Sequence, residues 1–159
     1  MVNVDTSADL PGEALGHAVR FVWEGAHREA CILGERPAPG KLNVFRGGPA
    51  PCTATNIDRW FSVRVEEVYA GVDLIIDATD AGAIYSLALE PWADLEGIVL
   101  RCDGATSLRV DEDGALLLST PLGTIRQSPP RAWCVTSAIS SPEPVDMAFR
   151  ILDEQRFGF

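Results

Sequence analysis

Two histidines, four cysteines and 23 carboxylates are the side chains of this 159-residue chain with the richest chemistry, so their spacing is the first test of function. A nucleophile needs a base beside it, and the only bases of that kind are His17 and His27. His17 follows Ser7 in the N-terminal leader. His27 follows Trp23-Glu24-Gly25-Ala26, where a hairpin turn is expected. No G-x-S-x-G pattern occurs. Both histidines read as surface or turn residues.

Asp111-Glu112-Asp113-Gly114 carries ligand types of a calcium loop, but that loop also needs a third oxygen ligand, a later Glu and flanking helices. Here Asp113-Gly114 stands between the strand-like Leu108–Val110 and Leu116–Leu118, which is a strong hairpin signal. A turn is expected. Asp77 and Asp80 read as solvated loop acids. Glycoside hydrolysis needs two facing carboxylates. Glu66 and Glu67 are adjacent on a strand and should point to opposite faces. No G-x-G-x-x-G and no phosphate-binding loop is present. The expectation is no enzyme: no catalytic residue, no cofactor-binding residue and no metal ligand.

Aromatic faces suit sugar stacking, and the chain has Trp23, Trp60, Trp92 and Trp133. Their wide spread and the apolar neighbours of Trp133 fit core packing better. Trp92, beside Pro91, is expected to be the most exposed. Cys31, Cys52, Cys102 and Cys134 lie 21, 50 and 32 residues apart, with no C-x-x-C pair, so a structural zinc site is not expected. Four cysteines would allow two disulfides in three connectivities, but free buried thiols are preferred. Cys102 alternates with Ile98 and Leu100, as a buried thiol would.

Every second residue is apolar across much of the chain, and that period places these side chains on strands. Val63 to Tyr69, Leu74–Ile76, Ile84–Leu89, Ile98–Cys102, Leu108–Val110, Leu116–Ser119, Thr124–Gln127, Ala132–Thr136 and Val145–Leu152 read as strands. Turn signals separate them at Asp80 to Gly82, Asp103-Gly104, Asp113-Gly114, Leu122-Gly123 and Ser128 to Pro130. Residues 34–59, rich in Gly and Pro, read as loops around one short strand, Leu42–Phe45. Pro91 limits residues 87–97 to a single helical turn, and Pro11, Gly12 and Gly16 weaken a helix over 10–22. The expected fold is all-β: an antiparallel β-sandwich of about twelve short strands with little helix. Residues 1–18 form a leader and 19–159 a single domain.

The formal charge is -10 and the sequence pI about 4.5. The acid excess runs along the whole chain, which disfavours a phosphate-backbone partner, so no nucleic-acid binding is expected. No window reaches the roughly 18 apolar residues of a membrane helix, so the chain is not expected to span a membrane. The polar, acidic residues after Met1 do not read as a signal peptide.

Four stretches resemble a known family, the domain of unknown function that precedes SBBP-type β-propeller repeats in bacterial surface proteins. Asn43-Val44-Phe45-Arg46-Gly47 is similar to that family's N-Y-F-x-G. Val68-Tyr69-Ala70-Gly71-Val72-Asp73-Leu74 is similar to its V-Y-P-G-I-D-L, with Ala70 in place of the proline. Gly104 to Leu116 follows its G-A-x-x-L-x-L-D-x-D-G-x-L, and Thr120-Pro121-Leu122-Gly123 its T-P-x-G. The resemblance implies an all-β fold and an extracellular or cell-envelope setting, although cytoplasmic residence stays open on the sequence. It brings no catalytic residues. The expected function is a non-catalytic structural or protein-interaction module, a subunit or surface domain of a larger assembly with a protein partner. The alternative is a carbohydrate-binding module using exposed tryptophans.

Overall fold

The computed structural model describes residues 16–48, 51–80, 82–135 and 141–159. Those residues contain thirteen strands and no helix, and every strand pairing is antiparallel. The chain is all-β, as the alternation requires. It divides into two compact units, Gly25–Asp94 and the remainder.

The larger unit combines Met1–Glu24 with Leu95–Phe159. Its strands β1 (Arg20–Glu24), β6 (Val99–Asp103), β12 (Arg150–Ile151) and β13 (Arg156–Gly158) form one sheet in the order β1-β6-β13-β12. Cross-strand partners share a face, so Leu100 and Cys102 stand with Trp23, Phe21 and Phe157 on the apolar side. The opposite side is a ladder of ion pairs: Arg20–Asp103, Arg101–Asp103, Arg101–Glu24 and Arg156–Glu24. A second sheet is the meander β7 (Ser107–Val110), β8 (Leu116–Thr120) and β9 (Gly123–Gln127). Leu116, Leu117 and Leu118 are all buried, so central β8 is covered on both faces, as an unbroken apolar run implies. Strands β10 (Ala132–Cys134) and β11 (Glu143–Val145) form a separate ribbon.

The other unit is one meander, β2 (Ile32–Arg46), β3 (Cys52–Tyr69), β4 (Val72–Thr79) and β5 (Gly82–Leu89), in sequence order. One face carries Val63, Val65, Val72, Leu74, Ile76, Tyr85 and Leu87, and Val72 and Leu74 are buried. The other carries Arg64, which pairs with Glu35 and Asp73, and the Arg36–Asp77 pair.

Three expectations need correction. Residues 34–59 are not loops around a short strand; nearly all lie in β2 and β3, 15 and 18 residues long. Proline and glycine mislead here because β2 is an edge strand, where a missing N–H costs no ladder bond. Pro39 and Gly40 sit in a bulge between the Ala38–Arg59 and Lys41–Asp58 pairs. Secondly, the N-terminal stretch forms a strand over Arg20–Glu24; the rest of the weighed 10–22 helix lies either in coil at 16–19 or outside the described residues. Thirdly, Val145–Leu152 is two short strands with an interruption, which lets Phe149 turn inward.

Candidate functional site

The V-Y-A-G-V-D-L stretch builds the most structured surface feature. Tyr69 pairs with Val72 across the tight Ala70-Gly71 turn. Gly71 has φ +71°, and a side chain there would press on the Trp92 ring, so glycine is required twice over. On the β3 side, Glu66, Glu67 and Val68 form an irregularity between the Val65–Leu74 and Tyr69–Val72 pairs, with Glu67 at φ +47°. Asp73 holds this bulge: its carboxylate accepts from the Glu67 amide at 2.8 Å and from Arg64 at 3.0 Å. Those bonds, the amide first, keep Asp73 below its ordinary pKa of 3.8.

The segment before β2 docks beside the bulge. The His27 amide donates to the Val68 carbonyl and the Glu66 amide to the Cys31 carbonyl, both at 2.9 Å. Together these elements enclose an open cleft of about 660 Å³ lined by His27, Glu29, Ala30, Cys31, Glu66, Glu67 and Asp73. Both adjacent glutamates line it. Strict alternation would send them to opposite faces, but the bulge interrupts the period of two. A sequence signal for the cleft existed only in part: V-Y-A-G-V-D marks the hairpin, while residues 27–31 reach it through tertiary structure alone.

The cleft is acidic and, among the described residues, offers no assembled chemistry. Among the described residues no three His, Cys, Asp or Glu side chains converge as a metal site. Asp73 is committed to Arg64, whereas no ion pair among the described residues engages Glu29, Glu66 or Glu67. What the arrangement can do is attract cations or cationic side chains.

We expect Asp73→Ala to cost about 1 kcal/mol at pH 7, below the usual range for bonds to a charged group because the carboxylate is partly solvated. A depressed folded pKa means the stabilisation is present above the unfolded value and fades as pH falls through the folded one. Thermal melts should therefore separate wild type from variant at pH 7 and converge well below pH 3.8. A gap that persists unchanged in acid would refute the role of this carboxylate.

The other residues singled out by sequence lie elsewhere. His17 is exposed and donates from its ring to the Gly104 carbonyl at 2.6 Å; Ser7 lies outside the described residues. Asp111 accepts from the amides of Asp113 and Ala115, closing the β7–β8 hairpin, so the Asp-Glu-Asp-Gly stretch is a turn. Asp77 pairs with Arg36. Cys102 is buried, and that burial pushes its thiol up to about 11. Cys31, Cys52 and Cys134 are free but exposed, against the expectation of buried thiols.

Tryptophan burial also needs correcting. Trp92 is 67% exposed, the highest of the four, as expected; Trp133 at 58% and Trp60 are exposed too, against the core reading. Trp133 lies on a two-stranded ribbon, and Trp60 covers Gly34 on the edge strand beside it.

The second surface feature is an arm. Strand β4 pairs with β3 only from Ser62 onward, so among the described residues Pro37–Arg46 and Cys52–Phe61 pair with each other and with no third strand. Leu42, Val44 and Ile57 share one face of it with Arg46 and Cys52, and Phe45, on the other face, is 71% exposed.

The family model for a domain of unknown function, DUF7948, matches residues 3–159. This chain is a DUF7948 domain. No curated protein and no solved structure matches it. The DUF7948 match spans the arm, the bulged hairpin and the Asp111 turn alike, so all three features belong to the matched region.

Proposed function

We propose that this DUF7948 domain is a non-catalytic interaction module, acting as a subunit or surface domain of a larger bacterial assembly at the cell envelope. The observation that carries the reading is the arm. A two-stranded ribbon is marginal alone in water, and this one displays large apolar side chains on both faces. Apolar surface kept at such exposure marks an interaction site. The cell-envelope setting and a place ahead of SBBP-type propeller repeats draw on the resemblance of Val68–Leu74 and Gly104–Leu116 to that family's motifs.

If the arm serves binding and not folding, Phe45→Ser should change stability by no more than about 0.5 kcal/mol. A photo-cross-linking amino acid at position 45 should form protein adducts in cells, while the same probe at exposed Arg109 should not. Equal labelling from both positions, or none from position 45, would sink the reading.

A second reading, carbohydrate binding, draws on the exposed rings of Trp92 and Trp133. A glycan array with signal abolished by Trp92→Ala or Trp133→Ala would favour it; background-level signal would dismiss it.

A further inference from the structure

We infer that the arm of one chain docks into the acidic cleft of a second copy. This rests on the reading of the arm as an interaction surface and names its partner. Of the 13 cationic and 23 anionic residues in the chain, residues 37–61 hold three and one, Lys41, Arg46 and Arg59 against Asp58. The arm is therefore net basic on a chain whose remainder carries ten cations against 22 anions. Lys41 is paired with Asp58, and Arg59 donates to the Pro39 carbonyl. Among the described residues, no ion pair engages Arg46 or Arg59.

The cleft is the complement. Glu29, Glu66 and Glu67 are its uncommitted carboxylates, Ala30 also lines it, and Ile32, the residue after Cys31, is 69% exposed. A surface that is basic and apolar thus meets one that is acidic and apolar. Complementary charge of this kind fixes register and partner choice, while the apolar contact supplies affinity.

The arm cannot satisfy its own cleft. Strand β2 runs from Ile32, beside the cleft, to Arg46 at the far end, a reach of about 40 Å for a paired ribbon of this length. Cys52 pairs with Arg46 at that far end, and Cys31 lines the cleft. Docking between copies brings Cys52 of one chain beside Cys31 of the other, whereas within one chain the two stay far apart.

These native thiols give the test. In a Cys134→Ser background, a Cys31→Ser chain and a Cys52→Ser chain are mixed and treated with a short bis-maleimide. Buried Cys102 is protected from the reagent. The expected result is a covalent dimer joined Cys52 to Cys31, abundant only in the mixture. Arg46→Glu should reduce it roughly tenfold, as should about 0.5 M salt, because the steering charges are solvent-exposed. Glu66→Arg in the partner should restore the yield of the Arg46→Glu chain, and unchanged circular dichroism would show that each variant folds. A dimer formed equally by the Cys31→Ser chain alone would indicate arm-to-arm contact and overturn the inference, as would no dimer in the mixture. Absent Cys31–Cys52 dimer with position-45 adducts to a different protein would overturn this inference and leave the interaction reading standing. Absence of both would sink the two together.

Discussion

Phe157→Ala should destabilise the larger unit by about 3–5 kcal/mol, the range for removing a large aromatic ring from a packed core. Phe157 is fully buried on β13. It stands across from Leu100 on β6 and from Ile151 on β12, so one ring ties three strands of a sheet together. Phe149 meets it edge to face at 5.5 Å and Phe159 at 6.2 Å, the arrangement that aromatic quadrupoles favour. Alanine would leave a void between Phe149, Phe159 and Leu100 that two-residue β12 has little backbone pairing to resist. Since a domain of this size has about 5–15 kcal/mol in total, the loss is a large share of it. Phe157→Leu, which keeps most of the volume, should cost less than half as much. Urea titration of both variants measures the difference. A Phe157→Ala loss under about 1 kcal/mol would mean the site collapses around the gap and the aromatic cluster is not the keystone of this sheet.

How much of this was legible beforehand depends on whether the deciding interactions are local. Strands β4 to β9 follow from short runs, alternating or continuously apolar, punctuated by Asp-Gly and Gly turns, because side chain and turn chemistry act within a few residues of each other. The Asp111 turn is of this kind: its carboxylate reaches amides two and four residues on. The arm was hidden because Pro37, Pro39 and Gly40 carry loop-like chemistry, and only their place on a sheet edge makes them tolerable in a strand. Trp60 was hidden for the same reason: an aromatic residue is expected to be buried, but this one lies in the two-stranded arm opposite Pro37 and stays 42% exposed. The cleft was hidden because Glu67 leaves the β region, breaking the alternation that assigned Glu66 and Glu67 to different faces. Its other wall, residues 27–31, is about 40 positions away in sequence and arrives by two backbone hydrogen bonds that no residue pattern announces.

Gly104→Ala is expected to be nearly as damaging as the loss of Phe157, and for a reason unrelated to packing volume. Gly104 follows β6 with φ +96°, a conformation that alanine adopts only with strain of about 1–2 kcal/mol. A Cβ there would also overlap the carbonyl oxygen of Ala18, which is backbone and cannot swing aside. Relief requires moving residues 17–18, which lead into β1, whose first residue Arg20 pairs with Asp103. It would also disturb the bond from the His17 ring to the Gly104 carbonyl. The substitution should therefore peel β1 from β6 and expose the half-buried Trp23, detectable as a red shift of tryptophan emission and faster amide exchange over residues 20–24. Gly114→Ala is the matched comparison. Gly114 also has positive φ, at +81°, but its nearest neighbour to an added Cβ is Pro129 at 3.8 Å, an ordinary contact. It carries the conformational cost without the collision. The difference between the two variants isolates what the Ala18 approach is worth, and an equal cost would mean that β1 gives way without resistance and does not depend on a bare backbone at residue 104.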